Sequence, residues 1–272
     1  MARAAPGVER TIAVLNWLAA HPDQSFTLTD IVRGLELNRA TCHALLAALA
    51  SAGYVYRDAS KAYRLGPALA AIGEIAHKRF LPVTLARDDM RALAERRGLA
   101  CIAASRVGAE MVLLERAVPA PLLSRALELG SRYAIRGPSG LSFMSWGPAA
   151  EAERWLDALR QERGAEQADR WAKAMRIARE MGYCYASIDP QGGVVPPAAI
   201  LAEGPLLPNY LSAPVLDAQG EIIFSIALLG FDRPYRPEEI AELGDELRKL
   251  CDATAARILE GERPFSPRAR VA

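Results

Sequence analysis

Three features of the sequence predict an α+β chain in two parts. Within residues 8–66, apolar residues recur at helical spacing and then give way to a short aromatic hairpin. Beyond residue 81, paired apolar segments flank glycine-bearing turns, as in "ACIAASRVGAEMVLLERAV" and "NYLSAPVLDAQGEIIFSIALLGF". Helical patterns at 148–161, 166–181 and 237–259 are segregated from those strands, which argues for an antiparallel sheet with helices packed on it.

The first helix is expected over residues 8–20, with Val8, Ile12, Leu15 and Leu18 on one face. "HPDQS" breaks it. Thr27 then offers a helix cap with Asp30 three positions on, ahead of Ile31, Val32 and Leu35. Asn38 is the third cap, and behind it Cys42, Leu45, Leu46 and Leu49 form an i, i+3, i+4, i+7 stripe. Gly53 ends that helix, and "YVYR" and "AYRL" read as two strands joined by Asp58 to Lys61.

Three helices followed by a two-stranded ribbon make a winged helix-turn-helix. Its third helix is short enough to lie in a major groove, with its polar start toward base edges and the ribbon's Arg57, Lys61 and Arg64 within reach of phosphates. Three small helices with a hairpin also form plain interaction modules, so a dimerisation protein stands beside the DNA-binding reading. Charge favours DNA: residues 1–80 hold nine Lys or Arg against six acids, whereas the remainder holds 24 against 26.

Residues 67–80, "PALAAIGEIAHKRF", form a linker helix with Pro67 in its first turn. The second domain spans residues 81–261, and the tail "ERPFSPRARVA" is expected to be disordered. No apolar stretch reaches the roughly 18 residues of a membrane span, and "MARAAPGVER" lacks a signal peptide's apolar core, so a cytoplasmic location without a membrane partner is expected. Cys42, Cys101, Cys184 and Cys251 lie far apart with no CxxC pair, which points to buried free thiols and to no metal or cofactor.

The segment "GVERTIAVLNWLAAHPDQSFTLTDIVRGLELNRATCHALLAALASAGYVYRDASKAYRLGP" resembles the DNA-binding half of the IclR-type transcriptional regulators, most specifically in "GYVYRDASKAYRLG". The likeness continues through "RGLACIAASRVGAEMVLLERA", "LELGSRYAIRGPSGLSFMSW", "AREMGYCYA" and "LSAPVLDAQGEIIFSIALLG". It implies a winged helix-turn-helix at 7–66, a linker helix at 67–80 and a GAF-like effector domain with an antiparallel sheet. The implied partners are double-stranded DNA with a palindromic operator, a small-molecule effector, and further copies of the chain as a homodimer or dimer of dimers.

This sequence departs from the family's pattern at named positions. Ala40-Thr41 and Ala44 stand where many members have Ser-Thr and an Arg, leaving Asn38, Arg39, Thr41 and His43 as readers, with Thr27, Arg57, Lys61 and Arg64 completing the DNA-contacting set. In "GSRYAIRGPSGL" Ala134 replaces a proline and Leu141 a glycine; Tyr210 stands at a frequent cysteine, and Ala227 and Leu229 at frequent serines. The effector-contacting set is therefore Ser139, Gly140, Leu141, Tyr210, Ala227 and Leu229. Losing two serine donors favours a bulkier, mostly apolar or aromatic effector over a small carboxylate, with Arg132 or Arg136 able to pair with an acidic group.

Enzyme chemistry finds less support. "RGPSGLS" fails the Gly-x-Ser-x-Gly elbow at its last position, and His21, His43 and His77 all precede the second domain, so a hydrolase fused to a helical module is the alternative rather than the first reading. "DPQGG" and "VLDAQG" read as turns, and Asp189, Glu203 and Asp217 read either as a carboxylate set or as solvated turn residues, which pattern alone does not separate. Trp146, Trp155 and Trp171 are expected in the core.

Overall fold

A computed structural model describes residues 5–21, 23–80, 82–119, 127–188, 194–196 and 204–261, divided between two compact units, residues 1–81 and 82–272. Asp189, Glu203 and the tail from residue 262 fall outside the described residues.

The first unit opens with α1 (Pro6–Ala19), whose proline supplies a preset φ at the helix start. Its buried residues are Val14 and Leu18, with Leu15 and Trp17 half-buried against them. Val8 and Ile12 belong to the expected stripe but are 59% and 51% exposed, because the core lies only under the last two turns. Strand β1 (Phe26–Thr27), which the sequence pattern does not reveal, leads into α2 (Leu28–Gly34). There Thr27 and Asp30 close a capping box: the Thr27 amide donates to the Asp30 carboxylate (2.8 Å), and the Asp30 amide donates to the Thr27 hydroxyl (3.4 Å). Gly34 sits under Trp17, where a Cβ would lie 2.8 Å from the indole.

Asn38 caps α3 (Arg39–Ser51), its side-chain oxygen accepting from the amides of Ala40 (2.9 Å) and Thr41 (3.4 Å). Cys42, Leu46 and Leu49 are buried beneath it and meet Ile31 and Val14. The ribbon consists of β2 (Val55–Arg57) and β3 (Ala62–Leu65), paired antiparallel, with β1 on the outer side of β3. Gly66 leaves the ribbon against the turn at Gly53, whose carbonyl oxygen would lie 2.2 Å from any Cβ at position 66. Helix α4 (Pro67–Phe80) follows, with Ile72 and Ile75 exposed.

The second unit is a seven-stranded sheet in the order β6-β5-β4-β10-β9-β7-β8, antiparallel at each described pairing. Its strands are β4 (Ala100–Val107), β5 (Glu110–Ala117), β6 (Arg132–Ala134), β7 (Cys184–Ile188), β8 (Val194–Val195), β9 (Leu207–Leu216) and β10 (Ile222–Leu229). Because side chains alternate along a strand, Leu211, Ala213 and Val215 of β9 point to one face and Tyr210 and Ser212 to the other. A short 3₁₀ turn, Pro82–Ala86, precedes α5 (Arg87–Arg97), which packs on the first face with the long helix α9 (Pro237–Gly261). Arg97 ties these two helices by donating to Glu246 (2.7 Å) and Glu242 (3.1 Å).

The second face carries α6 (Pro138–Met144), α7 (Ala149–Arg163) and α8 (Ala165–Met181). Trp171 of α8 is fully buried and meets Trp155 edge to face, ring centres 5.8 Å apart. Strand β6, three residues long, is absent from the sequence pattern. The Asp217 to Gly220 turn joins β9 to β10 as expected, with the Asp217 carboxylate accepting from the amides of Gln219 (2.8 Å) and Glu221 (2.9 Å).

Two outcomes test this packing. At Gly140 a Cβ would lie 2.3 Å from the Trp155 indole, so Gly140→Ala is expected to cost about 1–3 kcal/mol by overpacking; an unchanged unfolding midpoint in urea contradicts it. Before α9, the Arg233 guanidinium donates to Glu239 (2.9 Å) and the Arg236 amide adds a second bond (2.8 Å), holding the Glu239 carboxyl down to about 2. A lowered folded value stabilises above the ordinary carboxyl range and is lost as pH falls toward about 2. Arg233→Ala should therefore destabilise at pH near 6 and lose most of that effect near pH 2, measured by denaturant midpoints; equal destabilisation at both overturns it.

Candidate functional site

The N-terminal unit brings its polar candidates to two places. At the start of α3, Asn38, Arg39 and His43 are exposed and Thr41 is half-buried. The Asn38 oxygen is spent on the cap, and the Arg39 guanidinium reaches back to the Thr29 hydroxyl at 3.4 Å, leaving it loosely held at the surface. Thr27 is committed to the capping box, its hydroxyl donating to Asp30 at 2.6 Å, which with the Thr27 amide holds the Asp30 carboxyl below its ordinary range.

The ribbon supplies the second place. Tyr56 stands opposite Arg64 and Arg57 opposite Tyr63, so each arginine lies beside an aromatic ring of the facing strand. Arg64 sits 4.9 Å from the centre of the Tyr56 ring and Arg57 5.4 Å from that of Tyr63. The turn between them is fixed by Asp58, which accepts from the Ser60 hydroxyl (2.6 Å) and the Ala62 amide (3.0 Å) and is held below its ordinary pKa by those bonds. Lys61 takes a left-handed backbone conformation (φ +66°) at the tip and is exposed. These are exposed cations on a preordered ribbon, an arrangement suited to phosphate oxygens.

In the second unit a cavity of about 260 Å³ opens on the sheet face that carries Tyr210. Ile102, Met111, Leu113, Phe143 and Leu229 make its apolar walls, and Ala104 and Ala227 leave its volume unfilled. Arg136, Ser139 and Asn209 stand on its more exposed side, with Tyr133 between, and Tyr210 and Ser225 on its buried side. The Arg116 guanidinium donates to the Leu127 carbonyl and anchors the segment that brings Leu127 to the wall.

Four of the six effector-contacting candidates, Ser139, Tyr210, Ala227 and Leu229, line this cavity. Gly140 and Leu141 do not: α6 starts at Pro138, so each successive residue turns away, Gly140 against Trp155 and Leu141 into the core. Arg132 pairs with Glu110 (2.7 Å) and is not a lining residue, whereas Arg136 is.

Sequence reasoning missed a buried polar cluster behind Tyr210. The Tyr210 hydroxyl donates to Ser212 (2.5 Å), Ser212 bonds Ser142 (2.8 Å), and Ser142 bonds Ser225 (2.7 Å). The Cys184 thiol meets Ser212 at 3.2 Å. Burial pushes the Cys184 thiol up to about 12 and the Tyr210 phenol well above its ordinary value, so both stay protonated at neutral pH. Strand alternation does place Tyr210 with Ser212 and Ser225 with Ala227, but only the sheet register brings the two strands' hydroxyls and Ser142 together.

For the hydrolase alternative, no catalytic set is assembled around Ser139 among the described residues. The Ser139 hydroxyl is occupied, donating to the Arg136 carbonyl (3.0 Å) and accepting from its amide (3.2 Å), as a turn residue before α6. Asp217 is the turn residue described above, and Asp189 and Glu203 lie outside the described residues. Among the described residues no group of His, Cys, Asp and Glu is placed to hold a metal ion, and no helix is long and apolar enough to cross a membrane.

Comparison with known proteins assigns the first unit. Residues 7–59 match the model of the IclR helix-turn-helix domain. No curated protein matches the sequence. Among solved structures, an IclR transcriptional regulator from Alicyclobacillus acidocaldarius is similar over 93% of this chain and 99% of its own, at 20% identity and a TM-score of 0.74. An IclR family transcriptional regulator from Brucella abortus covers 94% and 93% at 19% identity and a TM-score of 0.69. An IclR homolog from Microbacterium hydrocarbonoxydans, solved with 4-hydroxybenzoate, covers 92% and 99% at 17% identity and a TM-score of 0.65. Residues 7–59 thus match an IclR helix-turn-helix domain, and the chain as a whole has the fold of the IclR transcriptional regulators.

Proposed function

We propose that this IclR-type protein is a transcriptional regulator that binds double-stranded DNA through residues 7–66 and responds to a mostly apolar or aromatic effector held in residues 81–261. Residues 67–80 act as the linker. The observation that carries the effector reading is the cavity beside Tyr210: large apolar walls, volume left by Ala104 and Ala227, and Arg136 on its exposed side. Such a site suits a ring or branched hydrocarbon bearing an acid group, because apolar burial supplies the affinity and a single cation the orientation. The 4-hydroxybenzoate complex of the Microbacterium homolog supports this class of ligand.

On the DNA side, Arg39, Thr41 and His43 read base edges, Asn38 and Thr27 hold the two helix starts, and Arg57, Lys61 and Arg64 contact phosphates. One recognition helix spans few base pairs, so two copies on a palindromic operator supply the specificity. The exposed apolar residues Ile72 and Ile75 of α4 suit pairing in a homodimer or dimer of dimers. The protein then acts in the cytoplasm, with no membrane partner and no cofactor.

Selection from random duplexes is expected to enrich one palindromic motif, and its absence at every salt concentration defeats the DNA reading. Against that motif, Arg39→Ala should cost about 1–3 kcal/mol and relax one position, whereas Lys61→Ala should weaken all sequences alike and flatten the salt dependence. For the effector, aromatic or alicyclic acids should raise the unfolding temperature while glyoxylate and pyruvate do not. Ala227→Phe, which fills the cavity, should abolish that rise and leave DNA affinity without ligand unchanged; stabilisation by the small acids alone refutes the assignment.

A further inference from the structure

Resting on the reading of this cavity as the effector site, we propose that its buried side is a subsite for a neutral oxygen of the effector, a hydroxyl or a ketone, held by Tyr210 and Ser225. Four hydroxyls and a thiol meet there on four elements: Ser142 on α6, Cys184 on β7, Tyr210 and Ser212 on β9, and Ser225 on β10. Only Tyr210 and Ser225 of this group also line the cavity.

The proton count of the chain decides what it wants. With Tyr210 donating to Ser212, Ser212 to Ser142 and Ser142 to Ser225, the last proton belongs to Ser225. Its acceptor inside the protein is the Ala213 carbonyl at 3.5 Å, the far limit of a hydrogen bond. A ligand oxygen at the cavity floor is a better acceptor for that proton. Each link of the chain is a hydroxyl that both donates and accepts, so the direction also reverses: Ser225 then gives its proton to Ser142, Ser142 to Ser212, and the Tyr210 proton is freed for the ligand. Either way one end of the chain presents a donor and the other an acceptor lone pair. A ketone uses the donor, and a hydroxyl uses both.

A charged group does not fit there. Among the described lining residues Arg136 is the one charged side chain, and it stands on the exposed side. A carboxylate carried to the floor would lose its water and receive only neutral hydroxyl donors, which do not offset its desolvation. The Cys184 thiol and Tyr210 phenol, both kept protonated by burial, remain donors at neutral pH and add no charge. The subsite therefore selects for the uncharged end of a two-ended molecule, with its acid toward Arg136.

The test uses four ring acids of one shape: 4-methyl-, 4-hydroxy- and 4-oxocyclohexanecarboxylate, and cyclohexane-1,4-dicarboxylate. Calorimetric titration of the full chain should show the hydroxy and oxo acids binding about tenfold tighter than the methyl acid, and the dicarboxylate weakest of the four. Tyr210→Phe and Ser225→Ala should each shrink the ratio of the hydroxy or oxo acid's affinity to the methyl acid's to about twofold or less, with a cooperative thermal unfolding transition showing that the variants are folded. If the methyl acid binds as tightly as the hydroxy acid, or the dicarboxylate binds best, the neutral-oxygen subsite is wrong and the cavity assignment survives. If none of the four binds, both are overturned.

Discussion

The two-residue period of strands β9 and β10 is the constraint on which the second unit depends. Residues 210–215 of β9 and 224–228 of β10 are buried, so their side chains are committed to one covered face or the other, with no solvent face there to absorb an error. Pairing puts Ser212 opposite Ala227 on one side and Cys184 on the other, and Ser225 opposite Pro214 and Ala104. A slip of one residue would bring Leu211 and Ala213 to the cavity face and send Tyr210 and Ser212 against α9, burying hydroxyls among Leu247 and Cys251 without partners. Desolvating those hydroxyls costs on the order of 1–3 kcal/mol each. The register that satisfies them is the one that makes the cavity.

The cavity's volume has the same origin. Ala104 and Ala227 are small residues on adjacent strands, where larger side chains would take up the space. The surrounding core is filled by Trp171, Phe143, Leu141 and Met175, which hold the helices off the sheet at that point. A void among large rigid groups does not collapse readily, because interiors resist local rearrangement. In the first unit, rigidity comes instead from short-range contacts. The Asp58 turn, the close approach of Gly66 to Gly53 and the reciprocal Arg–Tyr pairs order the ribbon by themselves, which would lower the entropic cost of the phosphate contacts proposed for its cations.

Much of this was legible in the residues, and the exceptions share a cause. Caps at Thr27 and Asn38, the Asp58 turn and the strands flanking Gly108 and Gly220 are specified by neighbours within a few positions, and those are where the sequence reads true. The two-residue strand β1 and the three-residue β6 exist only because a partner strand is already in place, so no local pattern announces them. The stripe through Val8 and Ile12 has sound helical spacing, yet the core ends before reaching them. Ser139 borders the cavity, whereas Gly140 and Leu141, its neighbours in sequence, do not. In a helix, adjacent residues point about 100° apart, which sends one to Trp155 and the other inward.

The hydroxyl cluster was invisible for a stronger version of that reason: its members are separated by as many as 83 residues, and each serine alone is an ordinary small residue. Once assembled it joins α6 to β9 and β10 through Ser142, and to β7 through the Ser212–Cys184 contact. Helix α6 also carries Ser139 and Phe143, which border the cavity. A short helix anchored by its middle to the sheet and by its ends to the cavity wall has little freedom to settle differently from the strands. A molecule that alters the hydrogen bonds at Ser225 therefore acts on Ser142, the side chain that ties α6 to the sheet.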